Sequence, residues 1–192
     1  VDVFTRSQDE HVPHVVHDLG FGNRVVHVPS GPEIPLPKEE MACFIDTFVE
    51  NILEFAQLKG LEYDLVHSHY WMSGIAGVQL SEKWNVPIVN MFHTLGEMKN
   101  RIAGLGEFEG DYRINGEKRV IHEVNQIIAS TQAEVAQLQW LYEANAEKIT
   151  VVPPGVNTGR FYPIPQDEAR DYIGIPNDLN VIVFVGRIEP LK

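Results

Sequence analysis

The sequence predicts an α/β fold in which a parallel sheet is buried on both faces, and three observations predict it. Short apolar runs alternate with longer segments of helical period, the pattern of βα units stacked into one sheet. The short runs are apolar almost throughout rather than at every second residue, as strands covered on both faces are. Gly- and Pro-rich stretches punctuate the alternation, above all Pro29-Ser30-Gly31-Pro32, with Pro35 and Pro37, and Pro153-Pro154-Gly155.

Taken in order, Val1–Thr5 reads as the first strand. His11, His14 and His17 then fall at helical spacing, but Pro13 among them spoils a helix and the segment reads as a solvated loop. Arg24–Val28 is the next strand, and Lys38–Leu58 a helix with apolar positions three and four apart, in which Cys43 reads as a buried, inert position. Strands follow at Tyr63–His67, Pro87–Phe92, Gln126–Ser130 and Ile149–Val152, with helices at Ser73–Trp84, Arg113–Glu123 and Gln132–Glu143. Pro153 to Pro165 reads as a linker, followed by a short helix around Glu168–Tyr172 and a fresh apolar strand at Val181–Val185. Residues 1–155 therefore read as one domain, 156–179 as linker and short helix, and 180–192 as the beginning of a second sheet.

Composition narrows the function. With 192 residues, 44% of them hydrophobic, the chain can bury one sizeable α/β core plus a fragment of another. A net charge of -12 argues against a nucleic-acid or anionic-membrane surface, so any phosphate must be held locally. The single cysteine excludes an internal disulfide and a cysteine-based zinc site. No apolar run approaches the roughly 18 to 20 residues that cross a bilayer, and no basic start precedes an apolar stretch, so the expected location is the cytoplasm. Val1 opens on a strand without an initiator methionine and Lys192 follows closely on another, so both ends read as cuts.

In an open parallel sheet ligands collect beyond the carboxyl ends of the strands, and here those places are polar. The third strand delivers His67-Ser68-His69-Tyr70-Trp71, followed by Ser73-Gly74, and the fourth delivers His93-Thr94-Leu95-Gly96, with Lys99 and Asn100 close behind. A loop with Gly104, Gly106 and Gly110 leads to Arg113 and Glu117, and the last strand delivers Gly186-Arg187, with Lys192 five residues on. His67 and His69 lie on one side of a strand, and two readings stand. With His93 they complete a three-histidine zinc site, or one packs in the sheet while the other lines a polar pocket. Arg187 and Lys192 at a strand mouth ending in Gly186 suit a diphosphate with about two negative charges, the alternative being a surface pair.

These words combine. His67-Ser68-His69-Tyr70-Trp71-Met72-Ser73-Gly74, His93-Thr94-Leu95-Gly96-Glu97-Met98-Lys99-Asn100, Arg113-Ile114-Asn115-Gly116-Glu117, Val152-Pro153-Pro154-Gly155-Val156-Asn157 and Val185-Gly186-Arg187-Ile188-Glu189-Pro190-Leu191-Lys192 together resemble glycosyltransferase family four. The branch it most resembles holds sucrose synthase, sucrose-phosphate synthase and the N-acetylglucosaminyltransferase acting on inositol phosphate. The resemblance implies a retaining GT-B enzyme of two Rossmann-like domains. The amino-terminal domain, here residues 1–155 and lacking its first strand, would hold the acceptor, and the second, begun by residues 180–192, the nucleotide-sugar, expected to be a UDP-sugar. It implies no protein nucleophile, no cofactor and no metal. Arg187 and Lys192, with Gly186, match the positions that bind the donor's diphosphate and stabilise it as leaving group. His93 matches the histidine beside the transferred sugar, and Lys38, Tyr70, Thr94 and Arg113 match positions that grip an acceptor phosphate. Two cations and two hydroxyls suit that task, although Lys38 also reads as a helix-start lysine and Arg113 as the partner of Glu117 one turn later. The implied reaction moves a hexose or N-acetylhexosamine to a sugar, sugar-phosphate or inositol-phosphate hydroxyl, and the fragment is expected to be inactive alone. Its rivals are a non-catalytic sugar-phosphate-binding domain and a metal-dependent hydrolase built on His67, His69 and His93.

Overall fold

The computed structural model describes residues 1–17, 20–103 and 108–186. In chain order its elements are β1 (Asp2–Arg6), β2 (Val15–His17), β3 (Arg24–Val28), α1 (Lys38–Met41), α2 (Ile45–Lys59), β4 (Val66–His69), α3 (Trp71–Trp84), β5 (Ile88–Met91), α4 (Gly96–Ile102), α5 (Asp111–Glu123), β6 (Gln126–Ala129), α6 (Gln132–Tyr142), β7 (Ile149–Val151) and α7 (Gln166–Ile173). Among the described residues no helix is long and apolar enough to cross a membrane.

The fold is α/β as the alternation predicts, but its strands form two sheets. One has the order β4-β5-β6-β7, all parallel; the other has the order β1-β3-β2, with β1 parallel and β2 antiparallel to β3. No ladder joins β1 to β4 among the described residues. The two sheets are tied instead by side chains. Asp2 on β1 accepts from Arg24 Nε and Nη2 at 2.7 and 2.8 Å and from the Tyr63 hydroxyl at 2.5 Å. The Tyr63 ring packs edge-on against Phe4, 6.0 Å between centroids, and against Trp84 at 4.7 Å.

Helix α3 serves both cores. Val78 packs with Trp71, Ile88, Phe92, Ile127 and Leu138 around the four-stranded sheet, whereas Ala76 and Leu80 join Val26, Val28, Val49 and Ile52 under the other. Close approach of α3 to α5 depends on glycine. A Cβ on Gly74 would stand 2.7 Å from Val120 Cγ1, and one on Gly116 2.6 Å from the Trp71 ring. Gly74→Ala is therefore expected to destabilise by about 1–3 kcal/mol through overpacking, read by urea unfolding; an unchanged midpoint would mean that the helices separate freely.

Several expectations need correction. Lys38–Leu58 is not one helix: α1 gives way to a 3₁₀ turn at Ala42–Phe44 before α2 begins. The Ser30 hydroxyl donates to the Phe44 carbonyl at 2.7 Å, and the Phe44 ring fills the space over Gly31, whose φ is +70°. The same turn carries Cys43 outward, so it is exposed rather than buried. The segment read as a solvated loop contains β2, whose Val15 and Val16 pair with Val26 and Val25. The strand expected at Tyr63–His67 starts at Val66, because Tyr63 is engaged with Asp2. Helix α4 lies in a segment to which the sequence reading assigns no element, its apolar signal being weak around Lys99 and Asn100. Val181–Val185 is exposed and has no ladder partner among the described residues, so its peptide groups are left to water and no strand forms.

Candidate functional site

The polar residues that follow β4 and β5 gather at the carboxyl ends of these neighbouring strands, where parallel sheets bind ligands. Both chain exits are conformationally costly. Tyr70, between β4 and α3, has φ 74° and ψ 164°, a region almost reserved for glycine, and is held by its N–H donating to Met91 O at 2.8 Å. His93 has φ 62° at the centre of a three-residue turn closed by the Thr94 N–H donating to Phe92 O at 2.7 Å, with Phe92 wholly buried as its anchor.

The three histidines stack rather than surround a point. His69 and His93 share a hydrogen bond of 2.8 Å between Nδ1 and Nε2 with nearly parallel rings, and the His67 ring lies 4.3 Å from that of His69. Burial, and then the neighbouring histidine charges, push His67 and His69 below the ordinary imidazole range. Among the described residues no three His, Cys, Asp or Glu side chains are placed to hold one metal ion.

Beside them Lys38, Tyr70, Thr94 and Arg113 converge. The Arg113 side chain is 4% exposed; its Nη2 donates to Thr94 O and Oγ1 at 3.1 and 3.2 Å, and its Cζ lies 5.0 Å over the Tyr70 ring. Its Nε donates at 2.8 Å to Glu117, so the helical ion pair read from the spacing is present too. Lys38 reaches the group through Glu109, whose carboxylate it meets at 3.0 and 3.1 Å. Lys99 meets Glu109 at 2.7 Å, and Arg113 Nη1 lies 2.8 Å from the same carboxylate. A cleft of about 240 Å³ opens alongside, between Thr5 and Arg6 at the end of β1 and Tyr70 and Ser73 at the start of α3. A larger cleft of about 580 Å³ between α5 and α6 contains none of the residues that follow the strands, so the smaller one belongs with the site.

Glu117 is the buried base of this arrangement. It is fully buried, accepts the Gly96 N–H at 3.0 and 3.1 Å, which caps α4, and accepts the Tyr142 hydroxyl as well as Arg113. Burial, and then the hydrogen bond to Glu117, push the Tyr142 hydroxyl well above its ordinary range.

Glu109 was not legible as a site residue, since it sits in a Gly-rich loop without periodicity, and its place is set by Asn100, which bonds its N–H and C=O at 2.7 and 3.1 Å. Burial works to raise its carboxyl, but the hydrogen bonds from Lys99 and Lys38 and the Arg113 charge outweigh burial and hold it at about 2. A carboxyl depressed from 4.5 stabilises the fold fully above about pH 4.5 and loses that contribution as pH falls towards 2. The stability gap between wild type and Glu109→Gln is thus expected to shrink by on the order of 2 kcal/mol between pH 7 and pH 3 in urea unfolding. An equal gap at both pH values would show that the carboxylate charge does not matter. Gly186 is exposed at the end of the described residues, and Arg187 and Lys192, expected to bind a diphosphate, lie outside them.

Comparison with known proteins gives the family of the chain and relatives of its fold. The profile of Glycosyltransferase Family 4 matches residues 1–160. A D-inositol 3-phosphate glycosyltransferase of Actinosynnema mirum is 42% identical over the whole chain, which covers 46% of that relative, and one of Catenulispora acidiphila is 40% identical, covered to 45%. Among solved structures, a sucrose-phosphate synthase from Thermosynechococcus elongatus superposes with a TM-score of 0.76 at 29% identity, over 92% of this chain and 43% of its own. The chain thus spans about half the length of these relatives.

Proposed function

The chain belongs to Glycosyltransferase Family 4, and from that premise we propose that it is the acceptor-holding part of a retaining GT-B glycosyltransferase. The enzyme transfers a hexose or N-acetylhexosamine from a nucleotide diphosphate sugar, a UDP-sugar, to a hydroxyl of a phosphorylated acceptor, of which inositol phosphate is the leading candidate. Residues 1–155 hold the acceptor, 156–179 link, and 180–192 begin the donor-binding domain. The convergence of Lys38, Tyr70, Thr94 and Arg113 at the ends of β4 and β5 carries this reading. A phosphate gripped there by two fixed cations and two hydroxyls is held by charge-assisted bonds, worth about 1.5–3 kcal/mol each. The inositol-phosphate enzymes named above, each about 40% identical, support that acceptor class.

In this reading the protein positions the reactants and stabilises charge rather than supplying a nucleophile. The bond from the anomeric carbon to the diphosphate breaks while one to the acceptor oxygen forms on the same face, and the acceptor proton passes to the departing diphosphate. Arg187 and Lys192, beside Gly186, stabilise that leaving group. His93, fixed by its turn and by His69, orients a hydroxyl of the transferred sugar and stabilises positive charge on its ring.

The test is a mass-spectrometric product assay on the full-length protein, with UDP-glucose and UDP-N-acetylglucosamine each offered against inositol phosphate, fructose 6-phosphate and their unphosphorylated parents. Product with a phosphorylated acceptor alone is the expected result. Equal product with the parent compounds would remove the phosphate grip, and binding without any product would favour a non-catalytic sugar-phosphate-binding domain.

A further inference from the structure

The cluster that would grip a phosphate already holds an anion of the protein's own. Glu109 lies at the focus of Lys38, Lys99 and Arg113, within 2.7 to 3.1 Å of all three, and its side chain is 10% exposed. Three cations face Glu109 and Glu117, with Glu39 at the rim 3.7 Å from Lys38 Nζ, and Glu117 is committed to Gly96, Tyr142 and Arg113 Nε. The Glu109 contacts are not all good ones. Arg113 Nη1 is buried and stands 2.8 Å from Oε1, yet makes no aligned hydrogen bond to any partner among the described residues. A buried guanidinium donor left in this way is costly, and a tetrahedral anion with more acceptor oxygens would satisfy it better than a flat carboxylate.

We propose that Glu109 is a resident counter-anion that reserves the phosphate position and must swing out when the acceptor's phosphate arrives, so that it sets the affinity threshold for the acceptor. The inference rests on the phosphate reading of Lys38, Tyr70, Thr94 and Arg113. Two physical points lead to displacement rather than coexistence. A phosphate touching the same three cations would stand at contact distance from the carboxylate, where like charges repel. Asn100 holds the Glu109 backbone at both its N–H and its C=O, so the side chain is the part of the residue that the displacement moves. The site is then competent only in the fraction of molecules with Glu109 withdrawn, and the apparent affinity is lowered by that fraction. Meanwhile Glu109 keeps the three cations converged, which limits the reorganisation that binding requires. Glu109 is a positioning residue, acting on the ligand through the cations it releases.

The test is calorimetric titration of the full-length protein with inositol phosphate and with inorganic phosphate. Removing the competitor in Glu109→Gln is expected to tighten both by about 10-fold. Glu109→Asp, one methylene shorter and still charged, is expected to fall between Gln and wild type, and provides the same ordering if the Gln variant folds poorly. A structural counter-ion would give the opposite sign, because its loss would let the cations drift apart. Lys38→Met and Thr94→Val report on the phosphate position itself. If they weaken binding while Glu109→Gln leaves it unchanged or weaker, displacement is overturned and the phosphate position stands. If wild type and Glu109→Gln both fail to bind either probe, or bind with Lys38→Met and Thr94→Val without effect, the phosphate reading falls and this inference with it.

Discussion

Replacing Glu117 by alanine is expected to cost the chain about 3–5 kcal/mol, the largest effect on stability that any single site residue should show. The carboxylate is fully buried and serves three donors at once: the Arg113 guanidinium, the Gly96 amide that opens α4, and the Tyr142 hydroxyl from α6. Truncation leaves a buried cation without its nearest partner and two further donors without acceptors, and the last two penalties alone run at about 1–3 kcal/mol each before relaxation. Glu109, 2.8 Å from Arg113 Nη1, offsets part of the loss. Glu117→Gln keeps an acceptor oxygen for Gly96 and should fall near the lower bound. Urea unfolding of both variants reads the effect, and a loss below about 1 kcal/mol for alanine would show that the site is held by packing instead. The expected loss of about 3–5 kcal/mol would also loosen Thr94 and α4, so the phosphate position would degrade with the fold rather than independently of it.

His93→Gly is expected to separate activity from stability. In the full-length protein transfer should fall by on the order of 10²-fold or more, because a group placed beside the reacting sugar is removed. The fold should not weaken to match. The side chain is exposed, and its backbone φ of 62° closes a turn that glycine adopts without strain. Relief of that strain, of order 1 kcal/mol, opposes the loss of the bond to His69 and the greater freedom of glycine in the unfolded chain. Stability is therefore expected to stay within about 1 kcal/mol of wild type, and kcat to carry the change. Retained activity would remove His93 from the proposed chemistry. A large loss of stability would mean that the imidazole holds the strand ends together.

Short apolar strands were the most legible part of the molecule: Arg24–Val28 matches its prediction residue for residue, and Gln126–Ala129 and Ile149–Val151 fall one residue short of theirs. The helix expected at Gln132–Glu143 is present as α6, its start held by Thr131 Oγ1 accepting the Glu134 N–H while the Glu134 carboxylate takes that of Ser130. What escaped depends on distant partners. β2 is three residues long and exists because β3 offers an edge; the turn at Ala42–Phe44 follows from Ser30 and Gly31, which lie more than ten residues earlier. The site divides in the same way. His67, His69, His93, Thr94 and Arg113 stand next to strand or helix ends, where polarity in an apolar context draws notice. Glu109 is invisible until folding brings Lys38 to it across the chain, since its own neighbours have no period and its charge is one of 27 acidic residues.

Helix α3 has a consequence for how the molecule opens. Because Val78 belongs to one core and Ala76 and Leu80 to the other, neither sheet can shed its covering helix without exposing apolar surface under its neighbour. The slowest amide protons of β3 and of β5 and β6 should then exchange with solvent through a single shared event, as one cooperative unit, although no ladder bond joins the two sheets.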